Sequence, residues 1–195
     1  MDRVIGIDLA GSHRRNTGYA VLQTGNGIVL EDIGTIHTDD EIFALTKRYS
    51  PDLIAIDAPL SLPRGRTNIH DRDDHHFRVC DLQLRERGIR FFPITLGPMR
   101  KLTERGMMIA NKLKRKGYDV IEVFPGATYD RLSLPRKDKE RIKRWIFKLT
   151  GKRLGEVSQD ELDGFACAYT GYLYLIGDVE VLGDPGEGLL IIPKG

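Results

Sequence analysis

The stretch Val4-Ile5-Gly6-Ile7-Asp8-Leu9-Ala10-Gly11-Ser12 decides the fold. A β-branched run ends in a carboxylate and turn residues follow at once, so it reads as a buried strand delivering Asp8 to the edge of a sheet. Period-2 alternation sets Val4, Gly6 and Asp8 on one face and Ile5, Ile7 and Leu9 on the other. A carboxylate on a core strand is costly unless it is paired or binds a metal. Asp8 therefore calls for a partner.

Gly18–Thr24 and Ile28–His37 read as two further strands joined by Gly25-Asn26-Gly27, a tight-hairpin signal. Acids after Thr38 start a helix over Asp40–Tyr49, which Ser50-Pro51 stops. Leu53-Ile54-Ala55-Ile56-Asp57 repeats the opening design, an apolar run ending in an acid. Residues 60–74 read as a long polar loop, and helical patterns follow at about 75–88 and 98–116. Tyr118–Phe124 is a strand with Val120, Glu122 and Phe124 on one face, and Pro125-Gly126 starts a short helix. Lys137–Leu149 is amphipathic, with Trp145 in its apolar stripe. Ser158-Gln159-Asp160-Glu161 is a capping box opening a last helix to about Leu175, whose Gly164, Ala166, Ala168 and Gly171 permit close packing on the sheet. A turn at Gly183–Gly188 precedes a short strand, Leu189–Ile192.

This order predicts a ribonuclease-H-like α/β fold. Its central sheet is mixed and five-stranded, three antiparallel hairpin strands plus two parallel ones, flanked by helices. A helical insertion covers about 60–117, a short C-terminal strand closes the chain, and one domain covers 1–195. Right-handed crossovers put the Asp57 strand beside the Asp8 strand.

Net charge is only +2, yet residues 85–116 and residues 131–153 each carry ten Lys/Arg against two acids. Residues 154–195 carry one Lys against eight acids, and residues 1–60 carry five basic residues against nine acids. Two basic segments beside an acidic framework suit a polyanionic partner near a metal-binding centre, or are simply solvated helix faces. No apolar run reaches membrane-spanning length. Cys80 and Cys167 lack paired spacing, so a reduced, cytoplasmic protein with both thiols buried is expected.

Asp8, Asp57 and Glu122 lie at or near the carboxyl ends of apolar strands, where open α/β sheets place ligands. Asp160 and Asp163, spaced i, i+3, share one helix face. Clustered carboxylates repel unless cations neutralise them, and hard oxygen ligands select Mg²⁺ or Mn²⁺. Duller readings exist for each: Asp8 as a turn cap, Asp57 orienting the Pro59 turn, Asp160 as a first-turn acid, Glu122 paired with an arginine. Arg64, Arg66, Arg78, Lys101 and Arg105 are candidates for phosphate contact or for loop solubility. His70-Asp71-Arg72-Asp73-Asp74-His75-His76 has ligand residue types without tetrahedral zinc spacing.

The motifs GIDLAGS, LIAIDAPL, RVCDLQLRERGI, VIEVFPGATY, SQDELDGFACAYTGY and GDPGEGLLIIP resemble the domain of unknown function 429 family, predicted RNase H-like nucleases, through nearly the whole chain. The resemblance implies that Asp8, Asp57 and Asp163 occupy the family's acidic core, with Glu122 as a further member. Crossover-junction resolvases show a similar Gly-Ile-Asp opening and an Asp-x-x-Asp-small helix, as in Asp160–Gly164.

Three functions follow as expectations. The first is a Mg²⁺- or Mn²⁺-dependent nuclease acting on DNA or RNA, with Asp8, Asp57, Asp163 and Asp160 around metal and Glu122 or Asp160 handling protons. The second takes Asp-x-Ala-Gly-Ser as the phosphate loop of an actin-like kinase or ATPase lobe, for which a homodimer would supply the missing lobe. The third is a non-catalytic nucleic-acid-binding module.

Overall fold

β-Branched runs that alternate apolar faces bury themselves by pairing, and here they pair into one continuous sheet. The computed structural model describes residues 1–195. In chain order the elements are β1 (Arg3–Asp8), β2 (Thr17–Thr24), β3 (Ile28–Ile36), α1 (Asp39–Tyr49), β4 (Leu53–Asp57), α2 (Val79–Glu86) and α3 (Gly97–Arg115). There follow β5 (Val120–Val123), α4 (Pro125–Arg131), α5 (Lys139–Thr150), α6 (Gln159–Leu175), β6 (Val179–Asp184) and β7 (Gly188–Pro193). The sheet has seven strands in the order β3-β2-β1-β4-β5-β7-β6. Strands β1 to β3 form the antiparallel meander, whereas β1, β4, β5 and β7 run parallel.

This is the RNase H-like architecture, with two strands more than the five of the expected central sheet. The short C-terminal strand is present as β7, beside β5. Strand β6 is the addition: Val179–Asp184 carries Glu180 and an exposed Val181, so its own apolar signal is weak. Its structure comes from antiparallel pairing with β7 at the sheet edge.

Helix starts are chemically explicit. Thr38 Oγ1 accepts from the Glu41 N–H at 3.2 Å while Glu41 Oε2 accepts from the Thr38 N–H at 2.7 Å. Ser158 and Glu161 repeat this reciprocal cap at the start of α6, at 3.1 and 2.7 Å. Two apolar layers cover the sheet. Ile5, Ile7, Ile54 and Ile56 pack under α1 and α3 through Ile42, Ile109 and Leu113. Val4, Ala20, Leu22 and Leu53 pack under α4, α5 and α6 through Tyr129, Ile142, Ile146 and Phe165. Trp145 joins that second layer edge-on to Phe165 and Tyr169.

Glycines let α6 lie directly on the sheet. A Cβ at Gly164 would stand 2.8 Å from the Tyr19 backbone, and one at Gly6 or Gly18 would overlap the α6 backbone at Ala168 or Asp160. Since backbone faces backbone, neither side can yield. Gly6→Ala is therefore expected to cost at least the ~1–3 kcal/mol of an overpacked core, measured by urea unfolding. An unchanged midpoint would contradict this packing. No helix of the chain is long and apolar enough to cross a membrane.

Candidate active site

Strand register assembles the site. Asp8 is paired with Asp57 across the parallel β1–β4 ladder, and with Gly18 across the antiparallel β1–β2 ladder. The empty side-chain position of Gly18 is filled by the backbone of Asp160, so the first turn of α6 sits over the Asp8 end of the sheet. Asp163 follows one turn later, on the same side of the sheet as Asp8 and Asp57. Its Oδ1 accepts from Tyr129 Oη and from Gln159 Nε2, both at 2.8 Å.

Electrostatics reflect this convergence. Burial, then the charges of Asp57, Asp163 and Asp160, push the Asp8 carboxyl well above the usual carboxylate range, opposed by Arg15. Burial, then Asp163 and Glu122, push Asp57 up as well, and no cation opposes them. Asp163 is raised to about 6, by burial first, against the lowering influence of its Tyr129 and Gln159 hydrogen bonds. Acids in this state favour either a proton or a cation.

The donor set fits a hard divalent ion: carboxylates on two neighbouring strand ends, with no protein cation paired to Asp57 and a third acid overhead. The side chains as they stand do not form a ready cluster of three or more metal-holding groups. Asp163 is held by Tyr129 and Gln159 through one oxygen, which leaves Oδ2 as the atom open to an ion.

Glu122 behaves differently from the expectation that made it catalytic. It is paired with Ile56, one residue before Asp57, so alternation turns it to the face opposite Asp8 and Asp57. There it is buried and bound bidentately by Arg78, at 2.7 Å to each oxygen, and it accepts from the Leu60 N–H at 2.7 Å. The alternative reading, an arginine partner, is the one realised.

Three of the five residues expected to touch phosphate are likewise interior. The Arg78 side chain is 2% exposed between Glu122 and Asp81. Arg66 donates to the carbonyls of Ile69, Asp71 and His75 and to Asp73, tying down the 60–76 loop. Arg105 joins Asp39 to the carbonyls of Ala10 and His37. A guanidinium carries five donors in a fixed fork, and these arginines direct them to acceptors within the fold rather than to solvent. Arg64 is exposed and paired with Asp184. Lys101 remains exposed, and with Ser12, Arg15 and Asn16 it lines a polar cavity of about 710 Å³ that contains Asp8 and Asp160. Arg15, which no local pattern singles out, lines this cavity and its charge opposes the rise of the Asp8 carboxyl. Its only mark in the sequence is its position, seven residues beyond Asp8 in the first turn.

The remaining motifs have structural roles. Glu187, in the turn between β6 and β7, accepts from the Arg64 and Val79 N–H groups at 2.8 and 2.6 Å. His70, His75 and His76 enter no metal-holding cluster. Both cysteines are buried and free, as expected.

A meander joined to parallel strands, with acids at the β1 and β4 ends and on a closing helix, defines the RNase H-like class of α/β proteins. Within that class the chain belongs to the family described as Protein of unknown function (DUF429), whose model matches residues 6–187. Among solved structures it is similar to Thermus thermophilus RuvC in complex with a Holliday junction substrate. The match covers 90% of this chain and 96% of the other, with a TM-score of 0.58 and 13% identity. A second Thermus thermophilus RuvC structure matches with the same coverage, 13% identity and a TM-score of 0.54. At that identity the likeness is one of fold. No curated protein sequence matches the chain.

Proposed function

We propose that this chain is a divalent-metal-dependent nuclease that hydrolyses phosphodiester bonds at the Asp8–Asp57 strand ends. The observation that carries the reading is the pairing of these two half-buried acids across adjacent parallel strands, with no cation on Asp57. Asp8, Asp57 and Asp163 Oδ2 would hold Mg²⁺ or Mn²⁺, with Asp160 at the rim. When bound, such an ion polarises the scissile phosphate and lowers the pKa of a coordinated water. Tyr129 and Gln159 fix the rotamer of Asp163. Arg15 and Lys101, in the cavity beyond Asp8, neutralise the phosphates flanking the scissile bond. Asp160, in the wall of the same cavity, takes the proton released by the attacking water at its carboxylate. The fold shared with RuvC, whose structure is in complex with a Holliday junction substrate, supports nucleic acid as the substrate class.

The phosphate-loop reading of Ala10-Gly11-Ser12 has less behind it. The Ala10 N–H donates to Thr17 Oγ1 at 3.1 Å and the Ala10 carbonyl accepts from Arg105, so Ala10 offers no backbone group to a phosphate.

A Mn²⁺ titration read by both melting temperature and cleavage separates the alternatives. At a hundredfold excess over the dissociation constant, the ion is expected to add about 2.7 kcal/mol, a rise of about 5–10 °C. Cleavage of labelled single-stranded, duplex, hybrid or junction substrates should appear over the same concentration range. Stabilisation by ATP without cleavage would favour the phosphotransferase-like lobe. Nucleic-acid binding without turnover in any metal would leave a binding module.

A further inference from the structure

On the other side of Asp57 lies a cavity of about 830 Å³, within the size range of ligand sites, whose wall is unusually aromatic. Phe77, Phe91, Phe92 and Phe124 line it, and Met99 and Leu102 of α3 line both this cavity and the polar one beyond Asp8. The two cavities are thus neighbours across Met99 and Leu102, with Asp57 lining one and Asp8 the other. Phe77 packs edge-on to Phe91 and lies under the Arg85 guanidinium, and Phe124 lies under Arg136. Phe92 is different. It is 70% exposed and no other ring packs on it, although it lines this largely apolar cavity.

Charge narrows what fits. The acids in the cavity floor, Asp81 and Glu122, share the single Arg78 guanidinium and keep a net charge of −1 beside Asp57, so the floor suits an uncharged ring rather than a phosphate. Arg85 and Arg90, at the rim, form no ion pair. An apolar, π-rich interior with free cations at its edge and an acid pair next door matches a nucleotide bound base-inward. The base lies against Phe92 and its phosphate reaches the acids. A base inside a duplex is stacked and paired, and cannot present its face to a side chain.

We infer that this aromatic cavity receives one unstacked nucleobase, which makes single-stranded or locally unpaired nucleic acid the substrate of the Asp8–Asp57 centre. The inference rests on the nuclease reading for its chemistry, but its test is binding. Anisotropy with fluorescent DNA and RNA single strands and with blunt duplexes measures affinity, and 2-aminopurine in the single strand reports stacking. The native chain is expected to bind single strands more tightly and to quench 2-aminopurine. Phe92→Ala should weaken single-strand binding about tenfold, leave duplex binding and melting unchanged, and abolish the quenching, and Phe92→Trp should restore all three. Equal losses on single strand and duplex, or no loss, would overturn the inference. Phe92-dependent single-strand binding without cleavage in any metal would retain the cavity's role and sink the nuclease reading. Cleavage with Phe92-independent binding would do the reverse.

Discussion

Replacing Asp8 by asparagine should lower cleavage by about 10³-fold while raising the melting temperature in the absence of metal. The two effects share one cause. Asp8 is held near Asp57, Asp163 and Asp160 in a desolvated site, and its carboxyl is pushed up accordingly. Asparagine keeps the shape and removes the charge, so the repulsion that the folded chain tolerates disappears. A metal-binding carboxylate lost from such a centre forfeits several kcal/mol of transition-state stabilisation, and ~4 kcal/mol is about three decades of rate.

The pH dependence carries a definite sign. Asp8, Asp57 and Asp163 bind protons more tightly in the folded chain than in the unfolded one, where aspartate titrates near ~3.9. Their contribution to metal-free stability is therefore fully present below about pH 4. It falls as pH rises through the folded-state values, one of them about 6 for Asp163. Thermal melts across that range should show the decline in the native chain and a shallower one in Asp8→Asn. Added Mn²⁺ should flatten the native profile and leave the variant nearly unmoved. A variant that melts lower than the native chain, or that still cleaves, would dissolve the assignment of Asp8 to the centre.

Arg78→Met should destabilise the chain by about 3–5 kcal/mol, because it leaves two buried carboxylates without their cation. Glu122 and Asp81 are 5% and 3% exposed, and Arg78 donates to four of their oxygens at 2.7–3.2 Å. For a chain of this size the loss corresponds to roughly 10 °C in melting temperature. The deficit should shrink on acidification, since the stranded acids can then take protons. Adding Glu122→Gln to Arg78→Met should recover part of the loss, a coupling that a double-mutant cycle reads directly. Were Arg78 a phosphate contact instead, its replacement would spare stability and reduce the salt dependence of nucleic-acid binding. The two roles therefore predict opposite pairs of results.

Arg78 also marks how far local pattern reaches. The hairpin at Gly25–Gly27, the caps at Thr38 and Ser158, and the apolar runs ending in Asp8 and Asp57 are local features. Each was legible because alternation, caps and turn residues act over a few positions. The closing helix was legible for the same reason, and its small residues announced the tight seat on the sheet that brings Asp160 over Gly18. The carboxylate pair followed from strand order, which right-handed crossovers constrain strongly.

Glu122 was not decided by anything local. Its side depends on pairing with Ile56 rather than Asp57, a difference of one residue in a parallel ladder that turns the side chain to the opposite face. Its partner, Arg78, is 44 residues away in the chain. Likewise an arginine in a basic segment reads the same whether water or buried acids surround it. Only the fold reveals that Arg66, Arg78 and Arg105 are interior braces while Arg15 and Lys101 face the acids. Strand β6 belongs here too, because a weak edge segment gains its structure from the strand beside it. Sequence by itself determined the sheet's framework and the two acids at its centre, since periodicity and turn chemistry are short-range. Tertiary structure alone decided which charges are paired and which are free, because desolvation and ion pairing depend on neighbours that the chain brings together only by folding.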